Sequence, residues 1–338
     1  MAYTTIDKSS LHFNTKLFTG TGSALSITGV GFAPDLSWVK RRSSARGHTI
    51  CDNVRGDGYN IYPDLNSAQS VSTAQFTSLD SDGFTLGTDD RVNQSSGTHV
   101  SWNWKAGTTS GISAGSQTIT PSAYSINATA GIGIYKWSRT GASTTDYFSH
   151  GLGATPTMAL QKRTDAVQDW YVNFTVRDGS NDRMQLNNTT ALADDTTTLP
   201  TSTNYYPKSP ETGNYITYLF APVTGFSKFG SYVGNGNADG TFVYTGFKPA
   251  WFMVKRISSG YDWAIKDNKR SPINEVTTEV YSNDTAGDAT GGAIDFLSNG
   301  LKMRNTSGTW NASSEIYVYM AFAEEPFVAS NNDSATAR

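Results

Sequence analysis

The chain is short of cysteine, of charge and of long apolar runs, and each shortage closes off a class of protein. Cys51 stands alone and cannot form an intramolecular disulfide, so stability must come from packing or from other subunits. Within Thr49-Ile50-Cys51 it reads as a small apolar strand residue, and without a neighbouring base it is a poor nucleophile. Charged residues make up 16% of the 338 and the net charge is −3, which leaves no basic footprint for nucleic acid or anionic lipid. No stretch approaches a membrane span, and Met1 to Lys8 has no apolar core. The expectation is therefore a protein made in a cytoplasm, without membrane insertion and not exported by the usual route. His12, His48, His99 and His150 are isolated from one another and from Cys51, so zinc-ligand spacing is missing. Gly, Thr, Ser and β-branched residues interrupt every candidate helical window.

Aromatics, by contrast, reach 12%, and 32 glycines stand among many Thr, Ser and Asn residues. This is the composition of short strands joined by turns, an all-β protein. Gly31-Phe32-Ala33-Pro34 leads through Leu36 and Trp38 to Lys40-Arg41, and the pattern recurs twice. Gly153-Ala154-Thr155-Pro156 leads to Lys162-Arg163, and Gly246-Phe247-Lys248-Pro249 to Lys255-Arg256; each lysine lies six positions after its proline. Downstream, His48, Trp170 and Trp263 each precede an arginine (Arg55, Arg177, Arg270) by seven positions. Alternating aromatic strands, His99 to Trp104, Asn214 to Phe220 and Ile316 to Phe322, close the three repeats. A period of roughly a hundred residues is domain-sized, and predicts three tandem β-sandwich domains of jelly-roll or lectin-like type.

The expected organisation is an N-terminal arm over 1–10, a first repeat over 11–107, a Gly/Ser/Thr-rich linker over 108–126, a divergent second repeat over 127–226, a third over 227–327 and a polar tail over 328–338. Within the linker, Gln117-Thr118-Ile119 is a candidate strand. In the first repeat Leu36, Trp38 and Lys40 face one side of a strand and Ser37, Val39 and Arg41 the other, as in a strand covered on both faces. Asp82-Gly83 reads as a type I′ hairpin turn, with Asn299-Gly300 in its place in the third repeat, while Thr189 to Tyr206 of the second has lost the pattern.

Several of these segments carry a resemblance. Phe13 to Gly20, Ser26 to Pro34, Asp80 to Gly87, Trp102 to Gly107, Val243 to Pro249 and Phe322-Ala323-Glu324 resemble a family of proteins carried by marine tailed phages of the cyanophage and pelagiphage type. The resemblance spans nearly the whole chain. It implies a virion structural or tail-associated protein with lectin-like β-sandwich domains, and it supplies no catalytic residues.

Chemistry sought independently of that resemblance gives little. Gly111-Ile112-Ser113-Ala114-Gly115 matches the nucleophile-elbow pattern in letters, without the flanking strand and helix that the elbow requires. Asp80 and Asp82 are the calcium candidates, although the turn alone accounts for an Asp-Gly pair and no glutamate completes a loop site. Glu324 and Glu325, adjacent on a strand, point opposite ways and do not make a glycosidase pair. For sugar binding an aromatic face must lie under a pyranose ring; Trp170, Trp263 and Trp310, nearest to turns, are the candidates, whereas Trp38, Trp102, Trp104 and Trp251 read as core. The Lys-Arg pairs read as solvated or interdomain ion pairs. Tyr3 and Ile6 of the arm are the candidates for gripping a neighbouring protein. The reading is a non-enzymatic virion component without cofactor, at the phage tail, self-associating, bound to other virion proteins and displayed to host-surface glycan. Capsid decoration and polysaccharide depolymerase are the alternatives.

Overall fold

A computed structural model describes residues 3–112, 117–141, 145–208, 211–258, 260–328 and 334–335; 45% is strand and 2% helix, an all-β fold. Each repeat builds one antiparallel sheet in the same strand order. In the first, Phe13–Thr19, Thr98–Trp104, Leu36–Arg41 and His48–Asp52 lie side by side. Ile132–Arg139, Gly213–Phe220, Met158–Arg163 and Tyr171–Phe174 take those places in the second, and Ser227–Val233, Ile316–Pro326, Phe247–Arg256 and Ala264–Asp267 in the third. The aromatic strand that ends each repeat in sequence thus holds its centre in space. Its register matches across the copies, with Trp38 opposite Trp102, Leu160 opposite Tyr218 and Met253 opposite Met320.

The turn into each post-proline strand depends on glycine. Gly31, Gly153 and Gly246, each three residues before its proline, have φ of 92°, 70° and 82°, a region costly for any residue with a Cβ. Beyond the turn the strand is buried on both faces, as its sequence predicts. Val39 and Cys51 pack outward against Phe76, Phe84 and Leu86 of a small hairpin sheet, while Leu36 and Trp38 point the other way.

What they point into is a single core. Trp38, Trp102 and Trp104 of the first unit, Leu160, Trp170 and Tyr218 of the second, and Trp251, Trp263 and Phe322 of the third belong to one buried cluster. Trp102 lies 6.2 Å from Trp251, and Phe220 6.0 Å from Phe322, between ring centroids. Three independent cores were expected, and the reason for one lies in the two-sided strands: the outer hairpins cover one apolar face of a sheet, and only the other units cover the second. Burial of each large side chain is worth about 1.5–3 kcal/mol, so no unit would willingly leave that face in water.

The linker also differs from expectation. Ala123–Asn127 is a strand paired with Ile132–Arg139, so the second sheet begins inside the segment read as linker. Gln117-Thr118-Ile119 is not a strand; its Thr118 and Ile119 N–H groups both donate to the Tyr147 carbonyl and Ile119 fills the second unit's outer cluster. Of the tail, only 328 and 334–335 are among the described residues.

The Asp-Gly and Asn-Gly hairpins form, but not through type I′ turns. Asp80 pairs with Gly83 and Leu297 with Gly300, which leaves Ser81-Asp82 and Ser298-Asn299 at the turn centres, without positive φ. The glycines serve the neighbouring strand instead. A Cβ on Gly83 would lie 1.9 Å from the Ile27 carbonyl oxygen, and one on Gly300 2.3 Å from that of Val243.

Candidate functional site

The Lys-Arg pairs, the ring seven residues before each arginine and the closing aromatic strand all meet at the boundaries between units. Lys40 Nζ donates to the carbonyls of Arg46 (2.6 Å) and, in the third unit, Thr285 (2.9 Å). Lys162 Nζ donates to Arg163 and Gln168 and, in the first unit, to Asn66 (3.1 Å). Lys255 Nζ donates to Asn188 of the second (2.8 Å). The first unit therefore grips the third, the third grips the second and the second grips the first. That order closes a ring with approximate threefold symmetry inside one chain.

Ring donors at these seams run the same way round. Trp170 Nε1 donates to Tyr62 O, Trp263 Nε1 to Gln185 O, and His48 Nε2 to Tyr281 O, each at 2.8 Å. Paired backbone bonds join the loops after the lysines to the next unit: Arg46 N to Thr285 O and Asp288 N to Arg42 O, Gln168 N to Asn66 O and Gln69 N to Thr164 O, Gly260 N to Thr189 O and Leu192 N to Ile257 O. A further position shows compensation. Trp102 Nε1 donates to Asp267 of the third unit and Tyr218 Oη to Asp52 of the first. At the remaining seam the acid is replaced by Phe174 and the donor by Met320, both in the shared core.

All three lysines are fully buried, and that burial pushes each ammonium down to about 8. They are neither solvated nor, among the described residues, paired with a carboxylate as the sequence suggested, although they do lie between units. The arginines beside them do pair: Arg41 with Asp90, Arg163 with Asp165 and Glu211, Arg256 with Glu315. The alternation of the strand separates the two roles, sending the lysine inward to neighbouring carbonyls and the arginine outward to carboxylates.

The ring has two unlike ends. Phe13 pairs with Trp104 and Leu36 with Trp104, so the arm and the segment leaving Trp104 emerge at the end where the proline turns lie. The corresponding rings Trp104 and Phe220 both meet Phe322, at 5.7 and 6.0 Å, which draws the equivalent ends of the three sheets together. Two linkers, the segment that follows Trp104 and the one from Ala221 to Phe226, start there. The opposite ends carry the Lys-Arg pairs and the loops that follow them.

The family model of a domain of unknown function, DUF7483, matches residues 8–326, which takes in all three sheets and both linkers. The chain belongs to the DUF7483 family. No curated protein and no solved structure matches it.

Against the DUF7483 ring, the residues singled out from sequence fall as follows. Trp170, Trp263 and Trp310 are fully buried and cannot lie under a sugar. The first two are the seam donors just described; the third donates Nε1 to Glu279, which also pairs with buried Lys266. Turn proximity was the wrong guide because Trp170 and Trp263 are covered at the seams by the next unit, and Trp310 is covered within its own unit by Phe252 and Lys266. Asp82 accepts the N–H groups of Gly29 and Gly31, which hold its carboxyl below the usual range, and Asp80 accepts the hydroxyls of Ser78 and Thr85. Both carboxylates are thus committed to hairpin geometry, and among the described residues no cluster of three metal-ligating side chains exists. Tyr3 and Ile6, expected to grip a neighbour, are held within the chain: Tyr3 Oη donates to Gly246 O, and Ile6 is buried in the shared core beside Thr4, whose hydroxyl reaches Thr224 O. Ser113 to Gly115 of the elbow pattern lie outside the described residues. Burial pushes the Cys51 thiol up to about 12, away from reactivity.

The buried histidines set the pH response. His48 Nδ1 accepts from Trp38 Nε1 while its Nε2 donates to Tyr281; His150 Nδ1 accepts from Leu152 N while its Nε2 donates to Thr201 O. These partners assign the neutral Nε2–H tautomer to both, and protonation of Nδ1 breaks a bond. Burial lowers His48 well below its ordinary value, lowers His150, and brings His99 to about 4. The unfolded chain then binds more protons below pH 6.5, so stability present at neutral pH is lost as the pH falls toward those depressed values. The slope is about 1.4 kcal/mol per pH unit for each histidine once its unfolded form is protonated. Asp35 and Asp64, raised by burial, oppose this over a lower range. Urea unfolding at pH 7.5 and pH 5 should show the midpoint fall at the lower pH; an unchanged midpoint would mean that these imidazoles titrate normally.

Proposed function

We propose that the chain is a non-catalytic structural component of a tailed-phage virion, placed at the tail, where it presents a rigid ring to the host surface. The observation that carries this reading is the closure of three units on one core, with the arm and linkers at one end and the seam loops that follow the lysines at the other. A protein without disulfides that must persist outside a cell requires large buried interfaces, and here they lie within one chain instead of between subunits. The resemblance of Phe13 to Gly20, Asp80 to Gly87 and Trp102 to Gly107 to marine phage proteins supplies the virion context. The end where the arm and linkers emerge is distinct from the end that carries the Lys-Arg pairs, so attachment to other virion proteins and display use opposite ends of the ring.

Immunogold labelling of intact particles, followed by a cryo-electron reconstruction, tests the placement. Label at the tail is the expected result. Label over the shell would replace this reading with capsid decoration, and release of reducing ends from host capsular glycan by the purified protein would replace it with a depolymerase.

A further inference from the structure

In a chain this rich in aromatics, Phe242 and Tyr244 are the only Phe, Tyr or Trp side chains exposed among the described residues, at 44% and 48%. They lie two residues apart on the strand Phe242–Tyr244, so they share a face, with ring attachments about 7 Å apart. Val243 between them is buried. The first unit provides an internal comparison. Its strand Leu25–Thr28 occupies the same place, Thr28 opposite Gly83 as Tyr244 is opposite Gly300. There the buried position is Ile27 and the two exposed ones are Ser26 and Thr28. The core residue keeps its character while the solvent-facing pair changes from hydroxyls to rings, so the pairing of this strand does not require aromatics; in the third unit the Tyr244 hydroxyl meets that of Tyr3 in the arm and the Phe242 ring lies over Gly300.

The surroundings indicate what the rings face. Lys228 Nζ lies 5.1 Å from the centroid of the Tyr244 ring and donates to the Tyr244 carbonyl at 2.7 Å. Among the described residues no carboxylate pairs with it, whereas nearby Lys302 and Arg304 are paired with Asp239 and Asp295. The strand is the terminal one of its sheet, yet Lys228 already occupies the carbonyl that an added strand would use, which disfavours strand addition by a peptide.

We propose that Phe242, Tyr244 and Lys228 form a binding surface for an acidic polysaccharide, the two rings stacking on neighbouring pyranose faces and the ammonium meeting a sugar carboxylate. The cation beside a ring pair supplies the charge complementarity, and a flat exposed platform suits an extended glycan better than a small molecule. This inference rests on the host-surface reading given above and names the residues and the sugar class.

The test compares the full chain with the double variant Phe242→Ser, Tyr244→Thr, which installs the first unit's own pair, and with Lys228→Gln. Oligogalacturonate and neutral dextran serve as probes in titration calorimetry at low salt. The native chain should bind oligogalacturonate more tightly than dextran; the double variant should lose about tenfold or more for both, and Lys228→Gln should lose the preference for the acidic probe. Unchanged melting temperatures would show that the variants fold. Absence of binding by the native chain, or equal binding by the double variant, would overturn the inference. Should the double variant instead fail to enter particles while the native chain binds no glycan, the surface docks a virion protein and the proposal is wrong. Particle labelling reads the tail placement separately: tail label with normal adsorption by the double variant sinks only this inference, and glycan binding without particle label sinks only the placement.

Discussion

Replacing Asp52 with alanine is expected to lower the free energy of unfolding by about 3–5 kcal/mol. The carboxylate accepts from Arg55 Nε (2.7 Å), from the Arg55 backbone N–H (2.8 Å) and from Tyr218 Oη of the next unit (2.6 Å). Its side chain and that of Arg55 are 0% and 1% exposed. Removing it strands a guanidinium in the core with one carbonyl partner, Ile50 O, and leaves a tyrosine hydroxyl without an acceptor. Tyr218→Phe deletes only the last bond and should cost about 1–1.5 kcal/mol. Chemical denaturation of the two variants checks the argument; equal losses would show that Asp52 matters only through the seam and not through the charge it neutralises. The third unit repeats the arrangement with Asp267, Arg270 and Trp102, so Asp267→Ala should behave alike.

The second large effect is expected at a lysine. Lys162→Met keeps the length and apolar stem of the side chain but leaves the carbonyls of Asn66, Arg163 and Gln168 without their donor. An unsatisfied buried acceptor costs about 1–3 kcal/mol, and with some relaxation the sum should be about 3 kcal/mol or more. The loss should be local in its dynamics. Amide exchange should accelerate at Gln168 and Gln69, whose N–H groups bridge this seam, and not at Arg46 or Gly260, which bridge the other two. Exchange that quickened equally at all three seams, or a cost under about 1 kcal/mol, would show that the lysines are not independent clasps. The repeat marked this lysine without showing what it does; the carbonyls around it make it critical.

Which parts of this were legible beforehand can be argued residue by residue. The alternation Leu36-Ser37-Trp38-Val39-Lys40-Arg41, apolar on both faces, was enough to predict a strand covered on both sides, because side-chain direction in a strand is set by backbone periodicity alone. The glycine before each proline was legible as a mark of the repeat, whereas its positive φ emerged only from the structure. The Asp-Gly hairpin was read correctly as a hairpin and wrongly as a type I′ turn: the glycine's partner, the Ile27 carbonyl, is more than fifty residues away in sequence and invisible to a local rule. The exposed ring pair at Phe242 and Tyr244 was missed for a related reason. Exposure is decided by what covers a strand, and only comparison with Ser26 and Thr28 in register brings the pair out.

The sequence by itself therefore determined the β class, the threefold repetition and the inward and outward faces of each strand, all of which follow from steric and periodic rules acting over a few residues. Tertiary structure alone decided that the repeats close into a ring around one core, that Lys40, Lys162 and Lys255 are clasps and not surface charges, and that Trp170, Trp263 and Trp310 are buried. Those outcomes depend on which surface of one unit meets which surface of another. Complementarity of that kind, a lysine against a distant carbonyl or Phe174 and Met320 in place of an acid and its donor, is a property of pairs that no single stretch of chain contains.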